Sequence, residues 1–289
     1  MGKMVRIACL QLNPSDDIER NVGATLSSAR SAVERGAKLI LTPEHSALLD
    51  GRGSVMRDGA GPETAQLLLS SLRKFAQETE TWILIGSIGI LQDDGRIANR
   101  SYLIDNAGTV AAAYDKIHMF DIVLPDGREI RESRRYRPGT EARLARTPWG
   151  SLGMTICYDI RFPHLYRALA KAGAGMIAAP SAFTRSTGRD HWHALLRARA
   201  IESGAYILAP ATCGEHPGGH ATFGHSLVVD PWGNIIAEAE EEPDVLIADI
   251  DLATVDAVRG RLPSLLHDRV FDGPFVSGAD PNFSFASKT

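Results

Sequence analysis

A glutamate, a lysine and a cysteine each stand at the end of an apolar, strand-like run. The run from Leu152 to Ile156 leads straight into Cys157. Phe162, Leu165, Tyr166, Leu169 and Ala170 then recur at helical spacing, so Cys157 falls on a strand-to-helix turn. A thiol there is pushed out of the sheet, and the helix start offers free N–H groups that favour negative charge. Such groups lower a thiol pKa and bind an oxyanion. A buried structural cysteine is the competing reading. Glu44 follows the buried Leu39–Leu41 through Thr42-Pro43, and Lys116 follows the run from Val110 to Tyr114. Ligand-binding and reacting groups of α/β sheets gather at the carboxyl ends of strands. Taken singly, Glu44 also reads as a loop acid and Lys116 as a surface lysine beside Asp115.

The elements that must position these residues alternate between strand and helix, which predicts an α/β layered fold. Val5 to Leu10 reads as a strand. Asp16 and Glu19 suggest a capping box ahead of a helix carrying Ile18, Val22, Leu26, Ala29 and Val33, which ends at Gly36. A second helix follows Pro62, and a buried strand runs from Trp82 to Ser87. Two strands flank the turn at Asn106-Ala107-Gly108 as a hairpin. The stretch from Phe120 to Pro138 reads as polar and irregular, with Arg128, Arg131, Arg134, Arg135 and Arg137 as a solvated face or a greeting for an anionic substrate. Beyond Cys157 come a strand over Met176–Ala179, a helix from about Asp190 to Ser203, and a strand over Tyr206–Ala209. A hairpin over Pro231-Trp232-Gly233 and a closing strand from Val245 to Ile250 follow. About twelve strands with four or five helices are too many for one open sheet; two stacked sheets with helices outside fit better. No linker and no internal repeat divides the chain.

Composition narrows the function. The 289 residues are 44% hydrophobic and 23% charged, ordinary for a globular domain with a large core. A formal net charge of −4 argues against a nucleic-acid or anionic-membrane partner. No apolar run approaches the roughly 18 residues of a membrane span. Three scattered cysteines, Cys9, Cys157 and Cys213, make no disulfide framework. With no apolar signal core at the N-terminus, this predicts a cytoplasmic protein. Asn99-Arg100-Ser101 matches a glycosylation sequon without a secretory context and is set aside.

The three strand ends together resemble the Glu–Lys–Cys signature of the nitrilase superfamily of carbon–nitrogen hydrolases. Pro43-Glu44, Lys116-Ile117-His118-Met119-Phe120-Asp121 and Cys157-Tyr158-Asp159-Ile160-Arg161-Phe162-Pro163 occur in the family's order and at family-like separations. The resemblance runs from about Val5 to Leu262. It is closest to the Nit-type amidase branch, through Arg131-Glu132-Ser133, Pro180-Ser181-Ala182-Phe183, the stretch from Leu195 to Ser203 and the stretch from Gly224 to Gly233. Thr42 stands where the family more often has an aromatic residue, and His164 where it usually has an acidic one. The resemblance implies an α-β-β-α sandwich, with residues 1–271 as the hydrolase domain and 272–289 as a C-terminal tail. It also implies a homodimer packed through the helices after Cys157 and near Asp190–Ser203, and no metal or organic cofactor.

As implied by that resemblance, Cys157 attacks the carbonyl carbon of an amide and Glu44 moves the proton. Lys116 and the Tyr158 N–H stabilise the oxyanion, and Glu132 is a second glutamate near the lysine. Reference pKa values leave roughly 6 kcal/mol against proton transfer from Cys to Glu. The expectation is that burial raises Glu44 and that Lys116 lowers Cys157, narrowing this gap. The substrate is a small carboxylated amide: deaminated glutathione first, 2-oxoglutaramate second, an N-carbamoyl amine third. Its carboxylates call for cations and N–H groups, with Ala182, Phe183, Thr184, Arg185, Arg134 and Arg135 as the binding candidates. Arg161 is expected to pair with Asp159 or the sheet end.

Three rival chemistries are open to the same sequence. A thiol hydrolase would pair Cys157 with His118 or His225, with an activity limb near pH 6.5. A metal hydrolase would draw on Cys213, His216, His220 and His225, with His191 and His193 upstream, although the spacing lacks the tight pairs of a zinc site. A non-catalytic scaffold would keep the fold without turnover.

Overall fold

The computed structural model describes residues 4–123, 127 and 129–273. Arg128 and the tail from residue 274 lie outside the described residues. In chain order the elements are β1 (Met4–Gln11), α1 (Ile18–Glu34), β2 (Leu39–Leu41), α2 (Gly53–Asp58), α3 (Leu67–Thr79), β3 (Trp82–Leu91), β4 (Ile97–Ile104) and β5 (Val110–Asp115). There follow β6 (Asp121–Val123), β7 (Glu129–Arg131), β8 (Arg143–Arg146), β9 (Ser151–Met154), α4 (Pro163–Lys171), β10 (Ala174–Ala178), α5 (Arg185–Ser203) and β11 (Tyr206–Ala209). The chain continues with β12 (Cys213–His216), β13 (His220–Phe223), β14 (Leu227–Val229), β15 (Ile235–Glu238), β16 (Asp244–Asp251) and α6 (Ala253–Arg261).

Two six-stranded sheets form the centre, in the orders β16-β1-β2-β3-β4-β5 and β15-β14-β11-β10-β9-β8. Each has three parallel strands at its heart, β1-β2-β3 and β9-β10-β11, flanked by antiparallel neighbours. The period of two decides the layering. Ile7, Cys9, Leu39, Leu41, Leu84 and Leu103 join one core with the second sheet. Their alternates Ala8, Leu10, Ile40, Ile83 and Ile85 join a second core with Val22 and Ala29 of α1 and Leu68, Leu72 and Phe75 of α3. Each fully buried Leu or Ile contributes roughly 1.5–3 kcal/mol. The α-β-β-α sandwich expected from the sequence is thus the observed fold.

Local signals were partly displaced. The α1 N-cap is Asp17, which accepts from the Arg20 N–H at 3.0 Å, so the box expected at Asp16 and Glu19 is shifted by one residue. α5 begins five residues before the expected start, because the Thr184 side chain caps it by accepting from the Thr187 N–H. The Phe120–Pro138 stretch holds the β6–β7 hairpin rather than only irregular chain. Leu165, Tyr166 and Leu169 of α4 are buried within the chain's own core, so they need no second copy to cover them. Among the described residues no helix is long and apolar enough to cross a membrane.

Candidate active site

The turn after β2 carries Glu44 over β3. A Cβ on Gly86 would sit 2.1 Å from the Thr42 carbonyl oxygen and 2.3 Å from that of Pro43, so only glycine lets the turn lie this close. The β3–β4 ladder shifts register between Ile85 and Ile88 to make the room. Thr42, the departure noted in the sequence, is fully buried; its hydroxyl oxygen accepts from the Gly86 N–H (3.0 Å) and from the Ser46 hydroxyl (2.7 Å). These bonds fix the loop and leave Glu44 pointing into the pit between the sheets.

There Lys116, one residue past β5, places its Nζ 3.0 Å from Glu44 Oε1 and 3.0 Å from each oxygen of Glu132. The Asn99 side-chain N–H donates to Glu44 Oε1 and the Ala182 backbone N–H to Oε2, both at 2.9 Å. Glu132 reaches the lysine from the short 3-10 turn after β7, and its Oε2 accepts from the Phe120 N–H at 2.5 Å. The alternative pairing of Lys116 with Asp115 does not form. Asp115 pairs with Arg100 instead.

Cys157, three residues past β9, opens a 3-10 turn that leads into α4, and its φ of 48° is left-handed. Such a conformation costs roughly 1–3 kcal/mol in a non-glycine residue and persists only where surroundings enforce it. Asp159 does so. Fully buried, its carboxylate accepts from the Ile156 N–H (2.9 Å), the Tyr114 hydroxyl (2.7 Å) and the His118 N–H (3.1 Å), and contacts His118 Nδ1 at 2.7 Å. One side chain thereby ties the Cys157 turn to the segment carrying Lys116. Arg161, expected on Asp159 or the sheet end, lies against Tyr158, Phe183 and His191 and not on Asp159.

Electrostatics reverse the expectation drawn from the sequence. Burial works to raise the Glu44 carboxyl, but the Lys116 ammonium, His45 and hydrogen bonds from Cys157 and Lys116 outweigh it and hold the group as a carboxylate. Burial works to lower Lys116, but Glu132 and Glu44 push it well above its usual range. Burial and then the Glu44 charge drive the Cys157 thiol well above its own, despite Lys116. Burial of the thiol is the largest cause and the Glu44 charge adds to it, so a further anion is disfavoured where carboxylates already face the one ammonium. The resting arrangement is a neutral thiol, hydrogen-bonded to an ionised Glu44. Burial lowers the His45 imidazole pKa, against the opposing pull of Glu44.

The pit opens into a cleft of about 570 Å³, which suits a small molecule. Its lining includes Glu44, Lys116, Glu132, Cys157 and Tyr158 at the floor, and Ala182, Phe183, Thr184, Arg185, Arg134 and Arg135 on the walls and rim. Arg185 pairs with Glu215 at 2.7 Å. Sequence reasoning missed Asn99, Asp159 as an anchor, and the wall formed by Gly218 to Ala221 at the β12–β13 turn. The rival pairings fail on geometry. His118 is bound to Asp159 and stacked on Phe162 at 3.5 Å, and His225 is bound to Glu238. His216 is buried against the Pro14 carbonyl and Thr222, so the rival cluster with Cys213 and His220 does not assemble as a metal centre.

A thiol beside an ionised acid and a buried ammonium thus lies at the strand ends of such a sandwich. Residues 6–260 match the carbon–nitrogen hydrolase family, and the chain belongs to it as an amidase-type enzyme of the nitrilase superfamily. The deaminated glutathione amidase of Yersinia enterocolitica is 38% identical over 286 residues, which cover 98% of this chain and 97% of that one. The crystal structure of the Caenorhabditis elegans NitFhit protein has a TM-score of 0.86 and 34% identity over 93% of this chain, which spans 66% of that longer one. A Nesterenkonia amidase has a TM-score of 0.75 and 27% identity over 90% of this chain and 98% of its own; a glutamate-to-glutamine mutant of it shows acrylamide added at its active site cysteine.

Proposed function

We propose that Cys157, Glu44, Lys116 and Glu132 hydrolyse the amide bond of deaminated glutathione, yielding 2-oxoglutarate and cysteinylglycine. The Cys157 sulfur attacks the amide carbon while its proton passes to Glu44, so the thiol is deprotonated only as the new bond forms. The oxyanion is met by the Lys116 ammonium and by the Tyr158 N–H, which sits in the first turn where no intrahelical carbonyl reaches it. Collapse of the intermediate breaks the carbon–nitrogen bond as Glu44 protonates the leaving amine, leaving a thioester. Glu44 then takes a proton from water; the hydroxide adds to the thioester, and collapse returns the thiol and releases the carboxylate product. Glu132 holds Lys116 in place against the pull of Glu44. The observation that carries this reading is the convergence of an acid, an ammonium and a thiol on one floor. The activity for which the relatives are named and the arginines at the rim support the choice of a carboxylated substrate.

The enzyme is further taken to be a cytoplasmic homodimer. Three free cysteines suit a reducing compartment. Exposed Ile201 of α5, with Trp232 and Ile236 nearby in the β14–β15 hairpin, offers apolar surface for a second copy. A product-release assay comparing deaminated glutathione, 2-oxoglutaramate and an N-carbamoyl amine, with Cys157→Ala as control, tests the assignment. The expected order is deaminated glutathione first, with the control inactive. A clear preference for 2-oxoglutaramate would make the enzyme an ω-amidase, and activity in the control would remove Cys157 from the reaction.

A further inference from the structure

We propose that His193, His225 and Glu238 form a surface binding site for a zinc-class divalent cation, separate from the cleft. His193 lies on α5, His225 stands two residues before β14, and Glu238 ends β15. The β14–β15 pairing sets Leu227 opposite Glu238 and so brings the loop holding His225 to the carboxylate. His193 Nε2 lies 2.7 Å and His225 Nδ1 3.1 Å from the same oxygen, Oε1 of Glu238. The three ligand atoms all lie within 4.8 Å of one another. Zinc ligands about 2.0–2.1 Å from a tetrahedral ion stand roughly 3.3 Å apart. A cation therefore enters by a small opening of side chains already converged, not by moving the backbone.

The scaffold is built to hold these donors. His225 has a φ of 55°, a left-handed conformation that needs enforcement. The Trp192 indole N–H donates to the His225 carbonyl at 2.8 Å, and the His225 ring stacks on Phe223 at 4.4 Å. Side-chain exposures of 35%, 23% and 33% leave the remaining coordination positions open to water. Two imidazoles and one carboxylate select borderline transition metals over calcium or magnesium, which prefer all-oxygen sites. None of the three lines the cleft, so the site asks nothing of the hydrolytic groups.

The test is calorimetric titration of the full chain with Zn²⁺ in a Cys157→Ala background, which removes the cleft thiol as a competing ligand. A parallel Co²⁺ titration is followed by visible absorption. One saturable equivalent is expected, weakened more than about tenfold by His193→Ala and by Glu238→Gln, with loss of the cobalt band. His225→Asn, which keeps a residue tolerant of the left-handed turn, should weaken binding likewise. Absence of saturable binding, or equal affinity in His193→Ala and Glu238→Gln, would overturn the site.

Discussion

The floor and the rim of the cleft are built on opposite terms. At the floor, Glu44 and Lys116 are each only 2% exposed, and Glu44 is held by the lysine, an asparagine and a backbone N–H from the other sheet. At the rim, Arg134 and Arg135 are exposed and Arg185 is shared with an exposed Glu215. Groups that stabilise charge along a reaction gain most when fixed and dry, where no reorganisation accompanies the charge. Groups that recognise a solute gain little from burial and must stay open to it. On the proposed mechanism the chemistry is thus set by the fold, whereas the preference for one acyl or amine part would rest on rim side chains that can change without disturbing it.

Glu44→Gln gives the sharpest break of this contrast. It should lower kcat by on the order of 10⁴-fold with unchanged circular dichroism, and near-normal turnover would take Glu44 out of the mechanism. Asp159→Asn tests whether the floor depends on the anchor beneath it. It should cost about 2–4 kcal/mol in chemical denaturation, since a four-bond buried acceptor is impaired, and lower kcat more than it raises KM. The elevated Cys157 pKa predicts that iodoacetamide alkylation of the free enzyme climbs from pH 7 past 9 without levelling. A plateau near neutrality would mean a resting thiolate. By the same sign, the stability gained from keeping this thiol neutral is full below the ordinary thiol range and declines as pH rises through it. The smallest effects belong to the rim: Arg134→Ala and Arg185→Ala should raise KM roughly 5- to 30-fold while kcat stays within about threefold. A matching loss in kcat would show that the rim takes part in the chemistry.

Much of the floor was legible because a largely apolar run lies just ahead of each of Glu44, Lys116 and Cys157 and marks a strand end, although the roles of Glu44 and Lys116 came only with the family resemblance. Glu132 was not legible that way; it sits in polar chain and came only with the family resemblance. Asn99 and Asp159 act through bonds to strands far away in sequence, which no local pattern encodes. The β12–β13 hairpin was missed because Cys213-Gly214-Glu215-His216 and its partner lack alternation of apolar residues. The α5 start was placed late because Ser186, Thr187 and Gly188 are weak helix formers, and a threonine cap overrides them. The electrostatic expectation failed for a different reason: it set the Lys116 ammonium against the thiol but left out the thiol's own burial, the largest cause of its rise, and the Glu44 charge beside it.

The bond from the Ala182 N–H to Glu44 joins a loop of one sheet to the acid carried by the other. On the proposed mechanism, chemical competence is therefore a property of the closed sandwich and belongs to neither half. In a chain still assembling, or one starting to come apart, turnover should vanish as the two layers part, ahead of the loss of strands and helices within each. Catalytic rate then serves as a gauge of layer docking that far-ultraviolet spectra cannot supply.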